Sequence, residues 1–269
     1  MLGAIFGDIV GSSYEFHNTH DYDFELLTRR SKYTDDTCMT LAVAKALCQS
    51  MGRSDDEVRE ALIDCMKEIG RKYPDAGYGG MFYGWVLGES RKPYHSCGNG
   101  SAMRVAAAGW LYDSLEETEH YAGLSAAVTH DHPEGIKGAK ATAACIYLAR
   151  TGKTKQEIKE YVEKKYGYDL NKSMADIVMH HHGDEICQIS VPQAIVCFLH
   201  SNSYIDCIRK AVSIGGDSDT IACIAGSMAE AFYGIDEQYR QEVLRRLPDD
   251  LKKIISTFEK QRKSIDKNL

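Results

Sequence analysis

Residues Ser213–Phe232, "SIGGDSDTIACIAGSMAEAF", decide how this chain folds. From Thr220 onward, small and apolar residues recur at helical spacing, with none of the alternation of a half-buried strand. Two aspartates, Asp217 and Asp219, stand behind the glycine pair and at the mouth of that helix. The upstream stretch Tyr33–Leu47, "YTDDTCMTLAVAKAL", repeats the design with Asp35 and Asp36. Acidic and hydroxyl side chains suit a helix start, because they accept from orphan amides and offset the helix dipole. Taken singly, each cluster reads as a cap; taken together, they raise the question of what four carboxylates are for.

Working outward, helical periodicity also marks "DEVREALIDCMKEI", "SAMRVAAAGWLYDS", "GIKGAKATAACIYLAR", "KQEIKEYVEKKY", "VPQAIVCFLHS" and "YIDCIRKAVSI". Ser54 and Thr154 stand where N-caps belong, and Thr118 is expected just before a further helix. The pattern predicts an all-α domain of many short helices, packed closely through alanine and glycine faces. No solenoid repeat or low-complexity linker divides the 269 residues, so a single domain over 1–269 is expected. Glu15 to Tyr33 is the longest segment without a strong helical pattern, a frequent place for function.

The net charge of −7 and the absence of a basic block argue against nucleic acid or an anionic membrane as partner. Nine cysteines, scattered without a Cys-x-x-Cys pair, speak against a zinc knuckle and for a reducing compartment. The apolar N-terminus lacks a basic leader and carries Asp8, and no run is long enough to span a bilayer. A cytoplasmic protein is expected, and nothing requires more than a monomer.

Crowded carboxylates repel unless a cation neutralises them. Asp35, Asp36, Asp217 and Asp219, with Thr34 and Thr220, make an all-oxygen ligand set. Hard divalent ions such as Mg²⁺ or Mn²⁺ prefer that set, and four negative charges would balance two such ions. A calcium loop starting at Asp217 fails, because Ile221 and Met228 would fall where oxygen ligands are needed.

Two glycine segments follow the first cluster. "DAGYGGMFYGW" surrounds Gly77, Tyr78 and Gly79 with rings that are either core or a stacking surface. In "YHSCGNGSAMRVAAAGW", Gly98-Asn99-Gly100-Ser101 leads into a helix, which is either an ordinary turn or a lysine-free phosphate site. "VTHDHPEG" holds the His130-Asp131 dipeptide also found in metal-binding HD phosphohydrolases, a weak signal. His180 to His182 are consecutive, so on a helix they would point about 100° apart and could not share one metal.

Six blocks in register, "GAIFGDIVGSSYEFHN", "YTDDTCM", "GYGGMFYGW", "PYHSCGNGSAMRV", "VTHDHPEG" and "IGGDSDTIACIAGSMAEAFYG", closely resemble the ADP-ribosylglycohydrolase family. The resemblance implies that family's all-α, orthogonal multi-helix bundle and a pair of Mg²⁺ or Mn²⁺ ions. It matches Thr34, Asp35, Asp36, Asp217, Asp219 and Thr220 to metal ligands. Glu15 matches an acidic residue used beside the metals, so Glu15, Asp36 and Asp217 are the expected catalytic residues. Gly77, Tyr78, Gly79, Ser96, Gly98, Asn99, Gly100, Ser101 and His130 match the ADP-ribose cleft. Cys97 departs from the pattern, since many relatives carry an aromatic residue there.

The expected activity is hydrolysis of the glycosidic bond between ADP-ribose and a protein side chain or small-molecule acceptor. Two rivals remain: a two-metal phosphohydrolase cutting a pyrophosphate or nucleotide, and a non-catalytic ADP-ribose binder.

Overall fold

The computed structural model describes residues 1–179 and 185–266. In chain order its helices are α1 (Leu2–Gly11), α2 (Asp35–Gln49), α3 (Asp55–Lys72), α4 (Gly80–Leu87), α5 (Gly100–Met103), α6 (Ala106–Leu111), α7 (Leu115–Ala127) and α8 (Pro133–Arg150). They continue as α9 (Lys155–Tyr166), α10 (Met174–Met179), α11 (Cys187–Leu199), α12 (Tyr204–Ser213), α13 (Ser218–Tyr233), α14 (Glu237–Arg246) and α15 (Asp249–Asp266). Among the described residues the only β-type pairing is an antiparallel bridge between Gly98 and Ile186. The all-α expectation therefore holds. No helix among the described residues is long and apolar enough to cross a membrane. The triple histidine, His180 to His182, lies outside the described residues.

Helix α13 forms the spine. Each residue from Ser218 to Glu230 is buried, and α1, α8, α11 and α12 pack around it. The closest partner is α1, whose Gly3, Gly7 and Gly11 recur every fourth residue and so share one face. A Cβ at these positions would lie 2.5 Å from the Gly226 carbonyl oxygen, 2.1 Å from that of Ala222 and 2.4 Å from Asp219 Cα. Only glycine lets the two backbones touch. The contact sets the C-terminal end of α1 against the start of α13, beside Asp217 and Asp219. Sequence periodicity passes over α1 because the helix is buried on all sides and shows no polar face.

Ser54 and Thr154 each close a capping box, with Glu57 and Glu157 reaching back to the cap amide. Thr118 is not a cap: it is buried inside α7, whose first turn is capped by Ser114. The expected single helix over Ser101–Ser114 is two, α5 and α6, interrupted at Arg104 and Val105. Arg104 is buried there, and its guanidinium donates to the Ser125 carbonyl and the Thr129 hydroxyl, both at 2.7 Å.

Between α1 and α2 the chain runs without helix, as anticipated for much of Glu15 to Tyr33, and it is tied down rather than loose. Asn18 donates to the carbonyls of Glu15 and Gly216, both at 3.0 Å, and accepts from the Gly216 amide at 2.8 Å. His20 Nδ1 pairs with the Ser213 carbonyl at 2.9 Å. This loop is thereby held against the turn that opens α13.

Candidate active site

The two aspartate clusters meet. Thr34 caps α2, its hydroxyl accepting from the Asp36 amide at 3.2 Å. Under that turn lies Asp8 of α1, fully buried. It accepts from the Thr34 amide at 3.0 Å, the Thr34 hydroxyl at 2.8 Å, the Thr37 amide at 3.1 Å and the Thr37 hydroxyl. Asp8 is thus the post that orients the "TDDT" turn.

Asp36 is 2% exposed and accepts from the Thr220 hydroxyl of α13 at 3.1 Å through Oδ2. Its Oδ1 is buried with no hydrogen-bond partner among the described residues. A buried carboxylate oxygen without a partner is costly, and a cation is the kind of ligand that offsets the cost.

At the other helix start, Gly215 and Gly216 adopt positive φ of 84° and 73°, which turns the chain sharply into α13. Asp217 occupies the N-cap position but makes no capping hydrogen bond. Its Oδ2 instead accepts from Asn99 Nδ2 at 2.6 Å. Asp217, Asp219 and Glu15 each offer a carboxylate oxygen, and the three atoms lie within 4.8 Å of one another. The two helix starts therefore differ: Thr34 caps α2, whereas the Asp217 carboxylate turns away from capping and into the cluster.

Burial raises the carboxyls of Asp8, Glu15, Asp35, Asp36 and Asp219. It pushes the Asp35 carboxyl up to about 8, with Asp8 and Asp217 adding repulsion, and the Glu15 carboxyl up to about 7, with Asp217 adding to it. Asp36 and Asp219 go well above the carboxylate range, again mainly by burial and then by neighbouring carboxylates. Asp8 rises to about 6 through burial, opposed by the bonds from Thr34 and Thr37. So many acids so close need protons or bound positive charge to stay together.

The glycine segments frame this cluster. The Asp35 amide donates to the Ala76 carbonyl at 2.9 Å, and Gly77, at φ 108°, comes so near that a Cβ would lie 3.6 Å from Asp35 Oδ1. Tyr78 is half-buried and stacks on Tyr83 with ring centroids 6.2 Å apart, while Gly79 is exposed at the start of α4. In the second segment the Ser96 hydroxyl accepts from the Gly98 amide at 3.0 Å, and the Asn99 amide donates to the Glu185 carbonyl at 3.0 Å. The Ser101 hydroxyl is turned inward, donating to the Gly135 carbonyl at 2.8 Å. The Gly98 and Asn99 amides are therefore engaged, and those of Gly100 and Ser101 open α5 as the donors this loop can present.

His130 is buried against the same loop: a Cβ at Gly100 or Gly98 would come within 3.2 or 3.5 Å of its Nε2. Its Nδ1 pairs with the Thr129 hydroxyl at 2.7 Å, and Tyr94 approaches edge-on at 5.8 Å. Burial, and then Arg104, holds the His130 imidazole well below its ordinary range, so it is neutral.

Asp8, Asn18 and Glu185 are the members that sequence reasoning missed. A lone carboxylate inside the apolar run of α1 was the available signal for Asp8. Asn18 and Glu185 carry no local signal, since their roles come from contacts across the fold.

A family model described as ADP-ribosylglycohydrolase matches residues 1–266. Human ADP-ribosylhydrolase ARH3 is 30% identical over 317 aligned residues, spanning 88% of this chain and 85% of that protein. ADP-ribosyl-[dinitrogen reductase] glycohydrolase of Rhodospirillum rubrum is 24% identical, spanning 88% of this chain and 85% of its own. A solved structure titled "ADP-ribosylglycohydrolase-related protein complex" shares the fold, with a TM-score of 0.66 at 19% identity and 97% of each chain covered.

Proposed function

The chain belongs to the ADP-ribosylglycohydrolase family, hydrolases of glycosyl bonds, and on that premise we propose that it releases ADP-ribose by cleaving its glycosidic bond to an acceptor. The acceptor is a protein side chain or a small ADP-ribosyl conjugate. The observation that carries this reading is the Asn99–Asp217 bond, which couples the glycine loop to the acidic cluster.

Thr34, Asp35, Asp36, Asp217, Asp219 and Thr220 would hold two divalent cations, Mg²⁺ or Mn²⁺. The partnerless Asp36 Oδ1 and the converging oxygens of Asp217 and Asp219 support that donor set. The Thr34 and Thr220 hydroxyls give their protons to Asp8 and Asp36, which leaves oxygen lone pairs for a cation. When bound, such a pair supplies Lewis-acid charge at the reacting sugar.

The remaining work belongs to side chains and amides. Glu15, half-buried at the rim of the cluster, accepts the proton of the attacking water, with Asp36 and Asp217 completing the catalytic set. The Gly100 and Ser101 amides hold the pyrophosphate, with Ser96, Gly98 and neutral His130 shaping the loop around it. Gly77, Tyr78 and Gly79 border the cluster on the Asp35 side. Fixing the anomeric carbon between the loop and the acids lowers the barrier by orientation, toward an oxocarbenium-like transition state.

The test is calorimetric titration of chelator-treated protein with ADP-ribose, with and without Mg²⁺, followed by product analysis on ADP-ribosylated substrates. Metal-dependent binding that Asp219→Ala abolishes, with ADP-ribose as product, is expected. AMP plus ribose phosphate as products would replace the reading with a phosphohydrolase; absence of binding under both conditions would remove ADP-ribose as ligand.

A further inference from the structure

Cys97, the residue that departs from the family pattern, stands across a backbone pairing from a second cysteine, Cys187. The Cys187 amide donates to the Cys97 carbonyl at 2.9 Å, and the Asn99 amide to the Glu185 carbonyl at 3.0 Å. Those bonds flank the antiparallel Gly98–Ile186 bridge, so Cys97 and Cys187 stand opposite one another at its end. Facing residues of this kind have Cα atoms roughly 5.5 Å apart, inside the span a disulfide bridges. The Cys187 sulfur already reaches toward the segment that carries Cys97: it donates to the Gly98 carbonyl at 3.2 Å and lies 3.3 Å from the Ser101 hydroxyl. Cys97 is partly exposed and Cys187 is buried, and both are free thiols.

We propose that Cys97 and Cys187 form a peroxide-sensitive dithiol that closes to a disulfide across the base of the Gly98–Ser101 loop. Cys97, the more accessible of the two, reacts first. Its thiolate attacks a peroxide oxygen, the O–O bond breaks, hydroxide leaves, and Cys97 becomes a sulfenic acid. The Cys187 sulfur then attacks the Cys97 sulfur; the S–S bond forms, the S–O bond breaks, and the oxygen departs as water with the thiol proton. Two thiols are oxidised by two electrons, and one peroxide is reduced to two waters. Burial pushes the Cys187 thiol up to about 12, so the first reaction with peroxide falls to Cys97, and Cys187 gives up its proton as it attacks the sulfenic sulfur.

Closure pulls the Cys187 sulfur away from Gly98, Ser101 and the notch over Gly138, where a Cβ would lie only 2.6 Å from it. It also fixes the loop beside Asn99, the residue that holds Asp217. The oxidised protein is expected to lose about tenfold or more in turnover, restored by dithiothreitol. That arm rests on the function proposed above; the chemical arm does not.

The experiment is hydrogen peroxide treatment of the full chain, alkylation of remaining thiols, and non-reducing peptide mapping by mass spectrometry. A peptide pair joined through Cys97 and Cys187 is expected, with a mass lower by two hydrogens. Cys97→Ser, a substitution at a partly exposed position, should give no link and leave Cys187 alkylatable. Cys97 carried on to sulfinic or sulfonic acid beside an unlinked Cys187, or joined to a different cysteine, overturns the proposal. A mapped link with unchanged turnover overturns the claim that closure reaches the cleft. Because mapping needs no substrate, its failure is distinct from failure of the functional reading.

Discussion

Asn99 and Asp217, 118 residues apart in the chain, are joined by a 2.6 Å hydrogen bond from the side-chain amide to the carboxylate. Asn99 sits in the glycine loop and Asp217 at the mouth of α13, so one bond sets the loop's position relative to the acids. Asn99→Asp would put carboxylate against carboxylate. Turnover should fall roughly 10- to 100-fold, with weaker Mg²⁺ binding and a smaller loss for Asn99→Ala. Steady-state kinetics with metal titration check this; unchanged metal affinity in Asn99→Asp would show that the bond does not orient Asp217.

Asp36→Asn replaces a buried carboxyl of the cluster with a neutral group of the same shape. Activity should drop by about 100-fold or more. The chelated variant should nevertheless melt above the chelated parent at pH 8, by the equivalent of about 1 kcal/mol or more, because the buried carboxyl no longer resists ionisation. Calorimetric melts in chelator and in Mg²⁺ decide it. A full Mg²⁺-induced rise in Tm for the variant would count against Asp36 as a ligand.

The acidic cluster also sets a pH dependence. Asp8, Glu15 and Asp35 hold protons up to about 6, 7 and 8 in the folded chain, and burial raises Asp36 and Asp219 well above the ordinary carboxylate range. Unfolded carboxylates release theirs near pH ~4. From there upward the folded, metal-free state binds more protons than the unfolded one, so these groups lower stability as pH rises. His130, held neutral, works in the opposite sense below its ordinary range. The stabilisation by saturating Mg²⁺ isolates the cluster, and it should grow from pH 6 to pH 8.5 as protons cease to compete. A constant or shrinking Mg²⁺ increment across that range would contradict the assignment.

Packing makes a separate prediction. A Cβ at Gly7 would meet the Ala222 carbonyl oxygen at 2.1 Å, a backbone atom that cannot swing aside. Gly7→Ala should cost about 3 kcal/mol and lower Tm by roughly 5–10 °C. Gly84→Ala, exposed on α4 with nothing within 4 Å, should be neutral or stabilise by up to about 1 kcal/mol. Parallel thermal melts test the pair; equal losses would mean that the α1–α13 contact relaxes easily.

The elements easiest to read were those governed by neighbours a turn apart. Ser54 and Thr154 are recognisable because a cap, its Glu at the third position and the periodic face all lie within a few residues. The break between α5 and α6 was hidden because Arg104 resembles any helical residue until it is seen buried against Ser125 and Thr129. Asp8 was overlooked for a similar reason, since its bonds to Thr34 span 26 residues.

The sequence by itself determined the helical class, the two acidic helix starts and the chemistry of their oxygen ligands, because periodicity and side-chain type are local properties. Tertiary structure alone decided that Asp36 meets Thr220 across 184 residues, that Asp217 faces Asn99 instead of capping its own helix, and that Cys97 lies opposite Cys187. Those relationships follow from how closely α1 seats on α13 and where the loops are pinned, and such distances are set by packing between helices.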